Sequence, residues 1–109
     1  MKILLMLLIS SAAFAQTYNC KVTVQSDVTT STTSATGVPL YANASRRCLI
    51  LENKDAAIKV YVKFGSAHSG TEGLVLQPNA RWEAITPPGQ SIFLKAASGT
   101  PVVGVISGQ

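Results

Sequence analysis

Arg46–Gly65, RRCLILENKDAAIKVYVKFG, is the stretch that decides the fold. In its second half Ile58, Val60, Val62 and Phe64 alternate with Lys59, Tyr61 and Lys63. Successive side chains of a strand point to opposite faces. The pattern therefore buries the apolar set and turns two ammonium groups and a phenol outward. The first half, Cys48-Leu49-Ile50-Leu51, is apolar without alternation, as in a strand covered on both faces. Asn53-Lys54-Asp55 reads as a polar turn, so strands Cys48–Glu52 and Ile58–Phe64 are expected to form a central hairpin.

Downstream, Gly65–Gly73 is rich in glycine and small polar residues and reads as a surface loop. It has neither the Walker spacing nor the dinucleotide fingerprint. Short strands follow at Leu74–Leu76, Ala80–Thr86, Ser91–Ala96 and Val102–Ile106, separated by Gln77-Pro78-Asn79, Pro87-Pro88-Gly89-Gln90 and Ala97-Ser98-Gly99-Thr100-Pro101. Trp82 and Ala84 are expected inward, with Arg81 and Glu83 outward as neighbours of opposite sign. Upstream, Lys21–Gln25 alternates as a strand with Val22 and Val24 on one face. Asp27–Gly37 is Thr- and Ser-rich and fits an exposed edge strand or a loose linker. Pro39 confines Val38–Tyr41 to a sheet edge or a strand start. The Asn43-Ala44-Ser45 sequon is accounted for by a turn. The spacing predicts an all-β domain: a small antiparallel β-sandwich or jelly-roll-like barrel of seven to eight strands, preceded by an N-terminal signal helix.

Residues 1–15 read as an export signal. Lys2 gives the positive start, Ile3–Ile9 the apolar run, and Ala13-Phe14-Ala15 the small-x-small cleavage pattern. The apolar run is shorter than the roughly twenty residues a membrane helix needs. Cleavage between Ala15 and Gln16 would leave 16–109 as a single domain, with a strand and Thr/Ser-rich segment over 16–37 and the sandwich core over 38–109. Export to the periplasm or outside the cell makes the two cysteines, Cys20 and Cys48, an expected disulfide. The alternative is one buried and one exposed thiol. Closing that loop is worth roughly 3–4 kcal/mol, a large share for so small a core.

The formal charge of +4 falls to +3 without Lys2, eight Lys and Arg against five Asp and Glu. Arg46-Arg47 is the only adjacent basic pair, so nucleic acid is not an expected partner. Asp27, Glu52, Asp55, Glu72 and Glu83 are scattered, with no pattern that directs two carboxylates into one cleft. The lone His68 matches a catalytic serine only on paper, and Cys48 has no activating base beside it in sequence. No catalytic, cofactor-binding or metal-ligating residues are assigned, and the chain is not expected to be an enzyme. The candidate interaction surface is Lys59, Tyr61 and Lys63 with Phe93 and Lys95, which adjoin if their strands do. An outward Phe93 also favours a homo-oligomer.

The runs NASRRCLILENKDAAIKVYVKFGSA and GLVLQPNARWEAITPPGQSIFLKAASGTPVVGVI resemble a group of small phage-encoded virion-associated β-proteins of the head or tail. The resemblance rests on the Asn–Arg–Leu strand (Asn43, Arg47, Leu49), the turn at Asn53 and the Val60-Tyr61-Val62-x-Phe64-Gly65 strand. It continues through the Gly73-Leu74-x-Leu76-x-Pro78 turn and Ala97-Ser98-Gly99-Thr100. It implies a non-enzymatic structural role, as a capsid decoration, fibre, spike or tail accessory component. The partners would be other virion proteins or further copies of the chain, and the location the virion surface. A leader and a disulfide depart from that pattern. They suggest either a phage whose components pass through the membrane or an exported protein reusing the same small module; the alternative function is a secreted or periplasmic module binding a glycan or a cell-surface protein.

Overall fold

The computed structural model describes residues 20–84 and 87–109. The expected leader and its expected Ala15/Gln16 cleavage position lie outside the described residues. Those described form an all-β structure of seven strands: β1 (Val22–Thr29), β2 (Cys48–Asn53), β3 (Val60–Phe64), β4 (Leu74–Leu76), β5 (Arg81–Ala84), β6 (Ile92–Ala96) and β7 (Val102–Gly108). They pair antiparallel in two sheets, ordered β1-β7-β2-β5 and β4-β3-β6.

The core lies between the sheets. Leu49, Leu51, Val103 and Val105 come from the four-stranded sheet; Val60, Val62, Leu76, Ile92 and Leu94 come from the three-stranded one. Each set follows the period of two expected for a strand with one face inside. Leu40, from an irregular segment, plugs the same core at 1% exposure. Trp82 packs inward against it and meets Phe64 with ring centroids 5.7 Å apart, while Arg81 and Glu83 pair outside at 2.7 Å.

The expected hairpin does not form. β2 pairs with β7 and β5, whereas β3 pairs with β4 and β6, so residues 54–59 carry the chain from one sheet to the other. The cause is Asn53, whose side chain is fully buried. Its Nδ2 donates to the carbonyls of Ile58 at 2.8 Å and Leu76 at 3.0 Å, and its Oδ1 accepts the Asp55 N–H at 3.0 Å. Asp55 Oδ1 then accepts the N–H groups of Ala57 and Ile58, each at 2.8 Å. A buried amide satisfied on both ends fixes an arch that a free polar turn would not. Ile58, assigned to the strand interior from its alternation, falls in this arch and is only partly buried.

β1 runs on to Thr29 as an edge strand, with a bulge between Val22 and Val24 that separates the two valines expected on one face. Beyond it the chain is no loose linker. Ala96 N–H donates to Ser31 O, Leu94 and Ala35 exchange N–H···O bonds, and Ile92 N–H donates to Leu40 O. Residues 31–40 thus seal the outer edge of β6, which an exposed ladder would leave open to another chain.

Two further features lock the frame. Cys20 and Cys48 are joined in a disulfide with Cα atoms 6.2 Å apart, bridging the start of β1 to β2 across Gly108 of β7. Arg46, which reads as surface charge, is 6% exposed and donates to the carbonyls of Pro88 (2.8 Å), Gln90 (3.1 Å) and Tyr41 (2.9 Å). Burial lowers its pKa, though a guanidinium stays charged in proteins.

Candidate binding surface on the three-stranded sheet

The register of β3 and β6 brings the sequence-derived surface residues together. Tyr61 lies opposite Lys95, and Lys63 opposite Phe93. Their neighbours Val60, Val62, Ile92, Leu94 and Ala96 fill the core, so these four side chains share the outward face. Lys59 continues the row, its Nζ 5.8 Å from the centroid of the Tyr61 ring. On the far side of β3, Val75 pairs with Tyr61 and is 45% exposed. Val75 was not among the residues singled out from sequence. The run Leu74-Val75-Leu76 carries no alternation, and only the burial of Leu76 shows that its neighbour Val75 points outward.

The loop over residues 65–73 covers one end of this face. Lys95 Nζ donates to Gly70 O at 2.9 Å, and Lys63 Nζ to Ala67 O at 3.3 Å, with Glu72 Oε2 3.5 Å away. Glu72 also organises the loop from within. It accepts from the Ser69 hydroxyl at 2.6 Å, from Gly70 N–H at 2.7 Å and from Ser69 N–H at 3.3 Å. The Ser69 hydroxyl and then these backbone donors hold its carboxyl well below the usual carboxylate range. The loop leaves through Gly73. Its φ of +93° and the Val62 carbonyl oxygen pressed against the place a Cβ would occupy admit only glycine. Two lysines of the surface are therefore engaged by the chain's own carbonyls. Lys59, Tyr61 and Val75 form the open part.

His68 fastens the loop to the segment sealing β6. Its backbone N–H donates to Ser34 Oγ at 2.9 Å, and that oxygen lies 2.7 Å from His68 Nδ1. Nε2 is buried without a hydrogen-bond partner. Burial lowers the His68 pKa; Glu72 opposes this and Lys95 and Lys63 reinforce it. In a serine-nucleophile site an acid holds the second ring nitrogen. Here His68 Nε2 has no hydrogen-bond partner, and Glu72 accepts from Ser69 and Gly70 and pairs with Lys63. The Ser34–His68 contact works as a clasp. Among the described residues, no three of His, Cys, Asp and Glu converge as a metal site would require.

Compared with protein families, with curated proteins and with solved structures, the chain matches none.

Proposed function

We propose that this chain is a structural, non-enzymatic component of a phage particle, exported and cross-linked, that acts by assembly and surface binding. The observation that carries the reading is the outward face of the three-stranded sheet, where Lys59, Tyr61 and Val75 stand open beside Phe93. An amphipathic aromatic ring flanked by a cation and an apolar side chain suits a protein partner or a further copy of the chain. The sandwich shape, the sealed β6 edge and the disulfide suit a small module exposed outside the cell. In this reading the leader is removed after Ala15.

Mass spectrometry of purified particles tests the proposal. Many copies per particle, beginning at Gln16, and loss of incorporation on Tyr61→Ala with Lys59→Glu are the expected results. A chain absent from particles but retained on a glycan array through Tyr61 would favour the second reading, a secreted or periplasmic module for a glycan or cell-surface protein. The open position of Tyr61 under Lys59 is what supports that alternative.

A further inference from the structure

The four strands that end the two sheets are treated unequally. Residues 31–40 seal the outer edge of β6, and β4 and β5 are only three and four residues long. β1 runs for eight residues and pairs with β7 on one side alone. Its hydrogen-bond phase follows from its end, where Thr30 N–H donates to Pro101 O, the pair next after Thr29 and Val102. Along an antiparallel strand, residues bonded to a given neighbour alternate with residues that are not. Val24, Ser26 and Val28 therefore direct their backbone groups to β7, whereas Gln25, Asp27 and Thr29 direct theirs to the open edge. Among the described residues, no hydrogen bond reaches those outward groups.

A long open edge is a template for another strand, and proteins ordinarily blunt it with lysine, proline, unpaired charge or a bulge. Val22–Thr29 contains neither lysine nor proline. Its one charge, Asp27, is paired with Lys54 at 2.8 Å. The bulge lies between Val22 and Val24, so the stretch from Val24 onward keeps a regular register.

From this we infer that β1 is the pairing edge of a two-fold dimer, with β1 of a second copy lying antiparallel to it about Ser26. The argument for a second copy is that the strand complements itself in this register. Val24 faces Val28 of the partner subunit, and Val28 faces Val24 of the partner subunit. On the other face Gln25 meets Asp27 of the partner subunit, so an amide N–H donates to a carboxylate at both ends of the contact. The neighbouring centres that keep the hydrogen-bond phase do worse. Pairing about Asp27 sets two carboxylates against each other, and pairing about Gln25 sets Val24 against serine and runs Val28 into the bulge. The chosen centre joins the two four-stranded sheets into one continuous sheet through an isologous contact. It lies in the other sheet from the Tyr61 surface, so the dimer stands or falls separately from incorporation into a particle.

Sedimentation of the oxidised protein over about 1 μM to 1 mM should show a monomer–dimer equilibrium. Gln25→Pro removes an N–H that points away from β7, so it should abolish the dimer while leaving the β1–β7 ladder in place. If that variant does not fold, Gln25→Glu sets a carboxylate against Asp27 of the partner subunit twice over and should weaken the dimer about tenfold. Cross-linking reads the register. The Ser26 pair at the centre brings Cα atoms within about 4.5 Å, which a disulfide can span. Ser26→Cys should therefore link two chains on oxidation, Thr29→Cys should not, and Tyr61→Ala should leave the equilibrium unchanged. A monomer at every concentration would overturn the inference. So would a dimer indifferent to both Gln25 variants, one cross-linked through Thr29→Cys and not Ser26→Cys, or one lost in Tyr61→Ala, which would place the contact on the three-stranded sheet.

Discussion

The two sheets reach the same end by different means. In the four-stranded sheet the ladders are long: β7 is paired with β1 along its whole length and with β2 from Val103 to Gly108, and a disulfide ties its two neighbours together. The three-stranded sheet has strands of only three and five residues. Its outer β6 edge and one end of its outer face are covered by irregular chain, residues 31–40 and 65–73, held through Ser34, His68, Glu72, Lys63 and Lys95. Backbone pairing and a covalent link secure one half; side chains reaching backbone groups secure the other. Such contacts are individually small and open first, which assigns the lower local stability to the three-stranded half.

The contrast breaks most visibly at the disulfide. Cys48→Ser should lower stability by roughly 3–4 kcal/mol for a bridge spanning 28 residues, read as a drop in Tm under oxidising conditions. Equal melting of mutant and parent would remove the covalent half of the contrast. Asn53→Ala strikes the joint between the sheets and strands two carbonyls and one N–H, at about 3 kcal/mol; urea midpoints measure it. Arg46→Met frees the carbonyls of Tyr41, Pro88 and Gln90 and should cost about 2 kcal/mol, with faster amide exchange at both turns. The smallest effect belongs to His68. Its folded pKa lies below the ordinary 6.5, so its share of stability is complete above that value and is lost as pH falls from 6.5 toward the folded pKa. The loss should stay below about 1 kcal/mol after screening, and should vanish in His68→Gln when urea midpoints at pH 7.5 and about 5 are compared. A mutant with the same pH slope as the parent would show that the clasp does not titrate.

Elements with one buried face were legible in the residues. The alternations around Val60–Val62 and Ile92–Ala96, and the inward Trp82, follow the period of two, and the structure has them as read. Connectivity was not legible. A polar Asn-Lys-Asp run suits a hairpin turn and an arch equally, and only burial of the Asn53 amide separates them. The unalternating Cys48–Leu51 run read as a strand covered on both faces, and all four residues are buried, but nothing in it said which strands would pair with it. Ser34 was invisible among its many Ser and Thr neighbours, because its role depends on a loop 34 positions away. Arg46 carries its charge into a site built wholly of carbonyls, where no acidic partner in the sequence could have marked it. The Lys59–Tyr61–Lys95 surface was readable as a set of faces. Its partial occupation by the loop was not, since backbone carbonyls leave no trace in composition.

The place of β7 has a consequence for biosynthesis. This strand is translated after the other six, yet it occupies the middle of its sheet, between β1 and β2. Until Val102–Gly108 has left the ribosome, β1 has no ladder partner and β2 only the short β5. The four-stranded sheet therefore cannot be completed from its N-terminal strands outward: β1 and β2 are joined through a strand that follows both of them in the chain.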